Sequence, residues 1–190
     1  MTNTGTWFDY QPGDIILCQT GTEWGILKPL FKWLVGKWGH AMIYVFDFDG
    51  VPYFVEARPK KGVSVVGGDQ YEGAKVAVLR SKYPWYPDKA VKEALERASD
   101  PSTLYDFNDI FTCVIKLIHE KLGRPIHHWE PDKYTICSEL VWECYAEAGL
   151  ELDLRTAYEI QKKKEMGIPL PGDFLKTNAL EVVYYGGLLL

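Results

Sequence analysis

Tyr134-Thr135-Ile136-Cys137-Ser138-Glu139-Leu140-Val141 places a cysteine where a helix begins. Thr135 is a turn-capable residue, the run from Ser138 to Ala148 favours helix, and Gly149 supplies a stop. That order predicts a helix with Cys137 in its first turn. Helix N-termini carry unpaired N–H groups and a partial positive charge, and both favour thiolate over thiol. A cysteine in this place can therefore act as a nucleophile at neutral pH. The alternative is a buried cysteine that only packs. A base and an orienting group elsewhere in the chain decide between the two.

The 190 residues suit one domain spanning 1–190, and a hydrophobic content of 47% is ample for its core. A net charge of −5 argues against nucleic acid as a general partner. Lys162-Lys163-Lys164 sits in a Glu-containing helical stretch and reads as a solvated face. Cys18, Cys113, Cys137 and Cys144 show neither a C-x-x-C motif nor a tight disulfide framework. Cys137 and Cys144 share a helical face, a core-facing spacing. Met1 to Tyr10 has no basic segment followed by an apolar one, so no signal peptide is visible. Nor does an apolar run reach the roughly 18 residues of a membrane span. The expectation is a soluble, cytoplasmic protein, with a trimmed secreted form left open.

Outward from the cysteine, the order of elements defines the class. Pro12-Gly13-Asp14 is a turn before a strand at Ile15 to Cys18. Residues 24–38 carry Leu27, Leu30, Phe31, Leu34 and Trp38 at helical spacing. A strand from Ala41 to Phe46, a hairpin signal at Asp47-Phe48-Asp49-Gly50 and a returning strand from Pro52 to Ala57 follow. A further strand pair is expected at Gly62–Val66 and Lys75–Arg80. Asp88 is read as the cap of a helix from Lys89 to Ala98, and 106–122 and 153–165 are also read as helices. A last strand runs from Leu180 to Tyr185. Strands first and helices second predicts an α+β domain with a mostly antiparallel sheet.

A thiol nucleophile needs a base, usually histidine, held in one tautomer by a third group. His119 lies in an amphipathic helix, and His127 and His128 lie in a polar loop; each reads more simply as an ordinary boundary or solvated residue. His40 opens the apolar strand Ala41-Met42-Ile43-Tyr44-Val45, and a strand fixes a side chain firmly. If the hairpin is tight around Asp49-Gly50, Glu56 of the returning strand falls close to His40. Glu56 is the one carboxylate in an apolar strand, where a buried charge needs a partner. Its alternative is an edge-strand Glu facing water.

With these residues in place, the chain resembles the circularly permuted papain-like hydrolases of the NlpC type, close to the YiiX/YaeF-like amidases. The matching pieces are Pro12-Gly13-Asp14-Ile15-Ile16-Leu17, Trp38-Gly39-His40-Ala41-Met42-Ile43-Tyr44 and Val55-Glu56-Ala57. Gly62-Val63, Tyr105-Asp106-Phe107, Tyr134 through Ala148, and Pro171-Gly172-Asp173-Phe174 follow in order. Gly39 stands where the family usually has a small polar residue. His40 preceding Cys137 is the permuted order. The resemblance implies a papain-like sheet packed against the cysteine helix. It implies Cys137 as nucleophile, His40 as base and Glu56 as orienter, with Tyr105 matching a tyrosine that helps polarise the substrate carbonyl.

The function expected on this basis is a cysteine peptidase or amidase, a hydrolase that cleaves an amide in a peptide of the cell-wall type through a thioester acyl-enzyme. Its partner is a small peptide or acyl substrate, and no metal or organic cofactor is needed. Lipid acyl transfer or ester cleavage on the same fold is the nearest alternative. Trp24, Trp33 and Trp38 with their lysines could lie on a membrane surface, although the same residues fit a core stripe. A non-catalytic binding module and a metal site from His127, His128 and Glu130 are further alternatives.

Overall fold

The structure, a computed structural model, describes residues 8–19, 32–33, 36–58, 61–100, 136–152 and 169–189. Within them the strands are β1 (Ile15–Gln19), β2 (Trp38–Phe48), β3 (Val51–Arg58), β4 (Gly62–Gly67), β5 (Lys75–Ser81) and β6 (Leu180–Gly187). They form one six-stranded sheet in the order β4-β3-β2-β1-β5-β6, antiparallel at every pairing. The described α-helices are α1 (Pro87–Ser99) and α2 (Cys137–Glu147). Short 3-10 turns occupy Gly68–Tyr71 and Pro171–Lys176. The class is α+β. Among the described residues no helix is long and apolar enough to cross a membrane.

The β2–β3 hairpin follows from its two turn residues. Asp49 (φ 51) and Gly50 (φ 75) are both left-handed, and Phe48 pairs with Val51 across them. That is the two-residue turn whose twist matches paired strands. Alternation then sorts the side chains. Ile15, Leu17, Ala41, Ile43, Val55 and Leu79 face α1 and α2. Ile16, Met42, Tyr44, Phe54 and Val78 face the other way, under Tyr10 and Leu188. With both faces covered, the central strands read as continuous apolar runs. Each fully buried Leu or Ile contributes about 1.5–3 kcal/mol.

One turn ties the layers together. Tyr145 of α2 donates its hydroxyl to the Gly13 carbonyl at 2.5 Å. Gly13 donates its N–H to the Tyr44 carbonyl, and Tyr44 returns one to Asp14. The buried Asp14 carboxylate takes Arg80 of β5 at 2.8 and 2.6 Å. Gly13 has φ 88, and a Cβ there would stand 2.5 Å from the Pro87 Cβ at the start of α1.

Two local readings are corrected. Trp38 does not end a helix over 24–38; it begins β2, pairs with Gln19 and is buried. Lys32 and Trp33 are helical, but Gly36 at φ 83 turns the chain before Trp38. Asp88 does not cap α1. Tyr86 is the cap and Pro87 the first helical residue, with Asp88 in the first turn where its charge suits the dipole. The helices expected over 106–122 and 153–165 lie outside the described residues.

Candidate active site

The site begins where a ladder ends. Pairing between β2 and β3 runs from Phe48↔Val51 to Ile43↔Val55. Beyond that point β2 pairs with β1, through Met42↔Ile16, Ala41↔Leu17 and His40↔Cys18. Over the same stretch β3 pairs with β4, through Glu56↔Ser64 and Arg58↔Gly62. His40 and Glu56 face each other where the two strands no longer share hydrogen bonds, and His40 Nε2 lies 2.6 Å from Glu56 Oε2. Glu56 is fully buried, so it is not an edge carboxylate facing water.

Cys137 comes to this place from α2. Ile136 is the N-cap and Cys137 the first helical residue, as the flanking sequence requires. The Ile136 N–H is taken by Glu139 Oε2 at 3.4 Å, and Ser138 Oγ donates to the Pro169 carbonyl at 2.6 Å. At the other end Gly149 (φ 94) donates to Ala146, and Leu150 donates to Tyr145, the paired bonds of a Schellman stop. Leu140, Val141, Cys144 and Tyr145 seat the helix on the sheet. The Cys137 side chain hydrogen-bonds to His40 and receives the backbone N–H groups of Ala41 and Ser138. Since His40 Nε2 is committed to Glu56, Nδ1 is the nitrogen left for sulfur. Cys137, His40 and Glu56 thus form one connected line. Tyr105, the fourth residue singled out in the sequence, lies outside the described residues, as do Cys113, His119, His127, His128 and Glu130.

The electrostatics of the line favour separated charge. Burial alone would push the Cys137 thiol up. The charge of His40, its hydrogen bond and the two backbone N–H groups outweigh burial and hold the thiol below its ordinary value. Burial alone would likewise lower His40, but the Cys137 thiolate and Glu56 push it up to about 10. Burial raises Glu56, and His40, Tyr71 and Arg58 more than reverse it. Cys144, seven residues along the same helix, shows the contrast: burial pushes its thiol up to about 12. One helix therefore carries a thiol held low at its open end and one pushed up in its core.

Two residues of the site were missed in the sequence. Arg58 Nε lies 2.7 Å from Glu56 Oε1. Tyr71 donates its hydroxyl to Glu56 Oε2 and stacks on His40, with ring centroids 6.0 Å apart and planes at 14°. Arg58 had a usable signal: it follows Glu56 by two positions, which puts both on one face of a strand. Tyr71 had none, because a turn after β4 brings it in from outside the hairpin. A separate cavity of about 510 Å³, lined by Tyr83, Trp85, Tyr86 and Leu150, lies beyond the C-terminal end of α2, away from Cys137.

The chain matches no protein-family model, and no curated protein matches it significantly. The site sets a partly exposed thiol, held below its ordinary value, beside an imidazole pushed up, with a buried carboxylate behind the ring.

Proposed function

We propose that the protein is a cysteine hydrolase on a circularly permuted papain-like fold of the NlpC type, cleaving an amide bond in a peptide. The observation that carries this reading is the connected line Cys137–His40–Glu56, with the sulfur at a helix N-terminus. The Cys137 thiolate attacks the acyl carbon, forming a C–S bond while the carbonyl pair moves to oxygen. The Cys137 backbone N–H, which has no acceptor within the helix, faces the developing oxyanion; a donor of this kind contributes about 2.7–4 kcal/mol. Tyr105 is the second donor the sequence resemblance supplies. His40 gives its proton to the departing amine as the C–N bond breaks. It then takes a proton from water, whose oxygen displaces sulfur and restores the ion pair. Glu56 holds the imidazole in one tautomer and stabilises its charged form. Papain-like topology and peptide specificity enter from the sequence resemblance; the line from Cys137 through His40 to Glu56 supports the reading of Cys137 as nucleophile and His40 as base.

The test is acyl transfer to sulfur. Incubation with p-nitrophenyl acetate gives a burst of nitrophenolate and an acetyl group on the Cys137 peptide by mass spectrometry, and a peptide panel then defines the amide cleaved. Acetylation absent from Cys137, or peptide turnover kept within about tenfold in Cys137→Ala, would remove the reading.

A further inference from the structure

Behind the proposed triad stands a residue that no hydrolytic step uses. Arg58 reaches Glu56 Oε1 at 2.7 Å, while His40 and Tyr71 share Oε2. The Arg58 guanidinium also lies 5.0 Å from the centre of the Tyr71 ring, within cation–π range. Glu56 has no exposure at all, whereas Arg58 and His40 are each partly open to solvent. A carboxylate buried to this degree stays ionised only if its charge is matched.

We propose that Arg58 is a positioning residue of this site: it fixes Glu56 as the anion behind His40 and closes an alternating row of charges, Arg58, Glu56, His40 and Cys137, with no net charge. The proposal rests on the reading of Cys137 as a thiolate nucleophile and adds what sets the pH range of that thiolate. In an alternating row every end charge stabilises the other. With Arg58 neutral, the row would carry one excess negative charge, and protonation of sulfur would relieve it. With Glu56 neutral, the excess is positive, and the thiolate gains.

Among the described residues the neighbouring groups do not supply the missing charge. Cys18 stands opposite His40 on β1, and burial keeps Tyr71 a neutral donor. Glu139, in the first turn of α2, is acidic. Asp173, on the turn packed against β2, is held by Lys176 at 2.7 Å. Further along α2, Glu143 pairs with Arg97 of α1. Among the described residues Arg58 is the cation that contacts the row directly.

The test is iodoacetamide labelling of Cys137 against pH, read at the Cys137 peptide by mass. Arg58→Gln is expected to move the acid midpoint up by about one pH unit, a roughly tenfold slower labelling at acidic pH. Arg58→Lys keeps the charge and holds the midpoint near native. Glu56→Gln moves it down, and Glu56→Gln with Arg58→Gln brings it back up. This opposition is a signature that loosened packing would not produce. If Arg58→Gln does not fold, the contrast between Glu56→Gln and the double variant reads the same charge without a stranded carboxylate. An unmoved midpoint in Arg58→Gln, or in that contrast, overturns the role of Arg58. An ordinary thiol midpoint in the native protein would instead overturn the hydrolase reading itself.

Discussion

Cys137 and Cys144 lie on the same helix, yet their environments push their thiols in opposite directions. Cys137→Ala or Cys137→Ser is therefore expected to abolish turnover with the fold intact, measured by peptide cleavage and circular dichroism. Cys144→Ala should keep most activity while costing roughly 1–3 kcal/mol of stability in urea, because its side chain fills the core. His40→Ala should lower kcat by several orders of magnitude, as loss of a base from a nucleophile–base unit does. Glu56→Gln should be milder, since an amide oxygen can still accept from Nε2; steady-state kinetics on the two variants checks the ranking. The sequence made Cys137, His40 and Glu56 legible because each is the odd residue in its local pattern: a thiol at a helix start, a base at a strand start, a lone acid among apolar residues. Tyr71 was not legible, since it reaches Glu56 only through the fold of β4 and the turn after it.

At the scale of elements, the site depends on how α2 is hung on the sheet. Tyr145 anchors the helix to the Gly13 carbonyl, and that turn in turn abuts Pro87 of α1. Gly13→Ala would strain a left-handed backbone and drive a methyl into Pro87. Its expected cost is about 2–4 kcal/mol, read from the urea midpoint; a loss under about 0.5 kcal/mol would mean the turn is not what spaces the helices. The strands and the cysteine helix were legible because their ends are chemically marked, by Asp49-Gly50 at the hairpin and Gly149 after α2. The opening between β2 and β3 was not, because nothing in the apolar runs beside His40 and Glu56 marks where the ladder between the two strands ends. Trp38 misled for a related reason. Its spacing fits a helix, but burial against the sheet and pairing with Gln19 decide its state.

For the whole molecule, the buried charges link stability to pH. Glu56 is held below its ordinary value of 4.5. Its contribution is therefore complete above about pH 4.5 and is lost as pH falls through the lower folded value. Thermal unfolding of the native protein should weaken on this acid arm, and the gap in Tm between native and Glu56→Gln should narrow there. His40 has the opposite sign. Its stabilisation is complete below the unfolded value of 6.5 and disappears as pH rises through about 10. A Tm gap between native and Glu56→Gln that stays constant down the acid arm would show that Glu56 is not ionised in the folded protein.

The most direct measurement of the central claim, that Cys137 rests as a thiolate paired with His40, is the pH profile of Cys137 alkylation in the native protein and in His40→Ala. The account predicts a native midpoint well below the ordinary thiol value of about 8.5, and a return toward that value in His40→Ala. A native midpoint at the ordinary value, unmoved by His40→Ala, would contradict it.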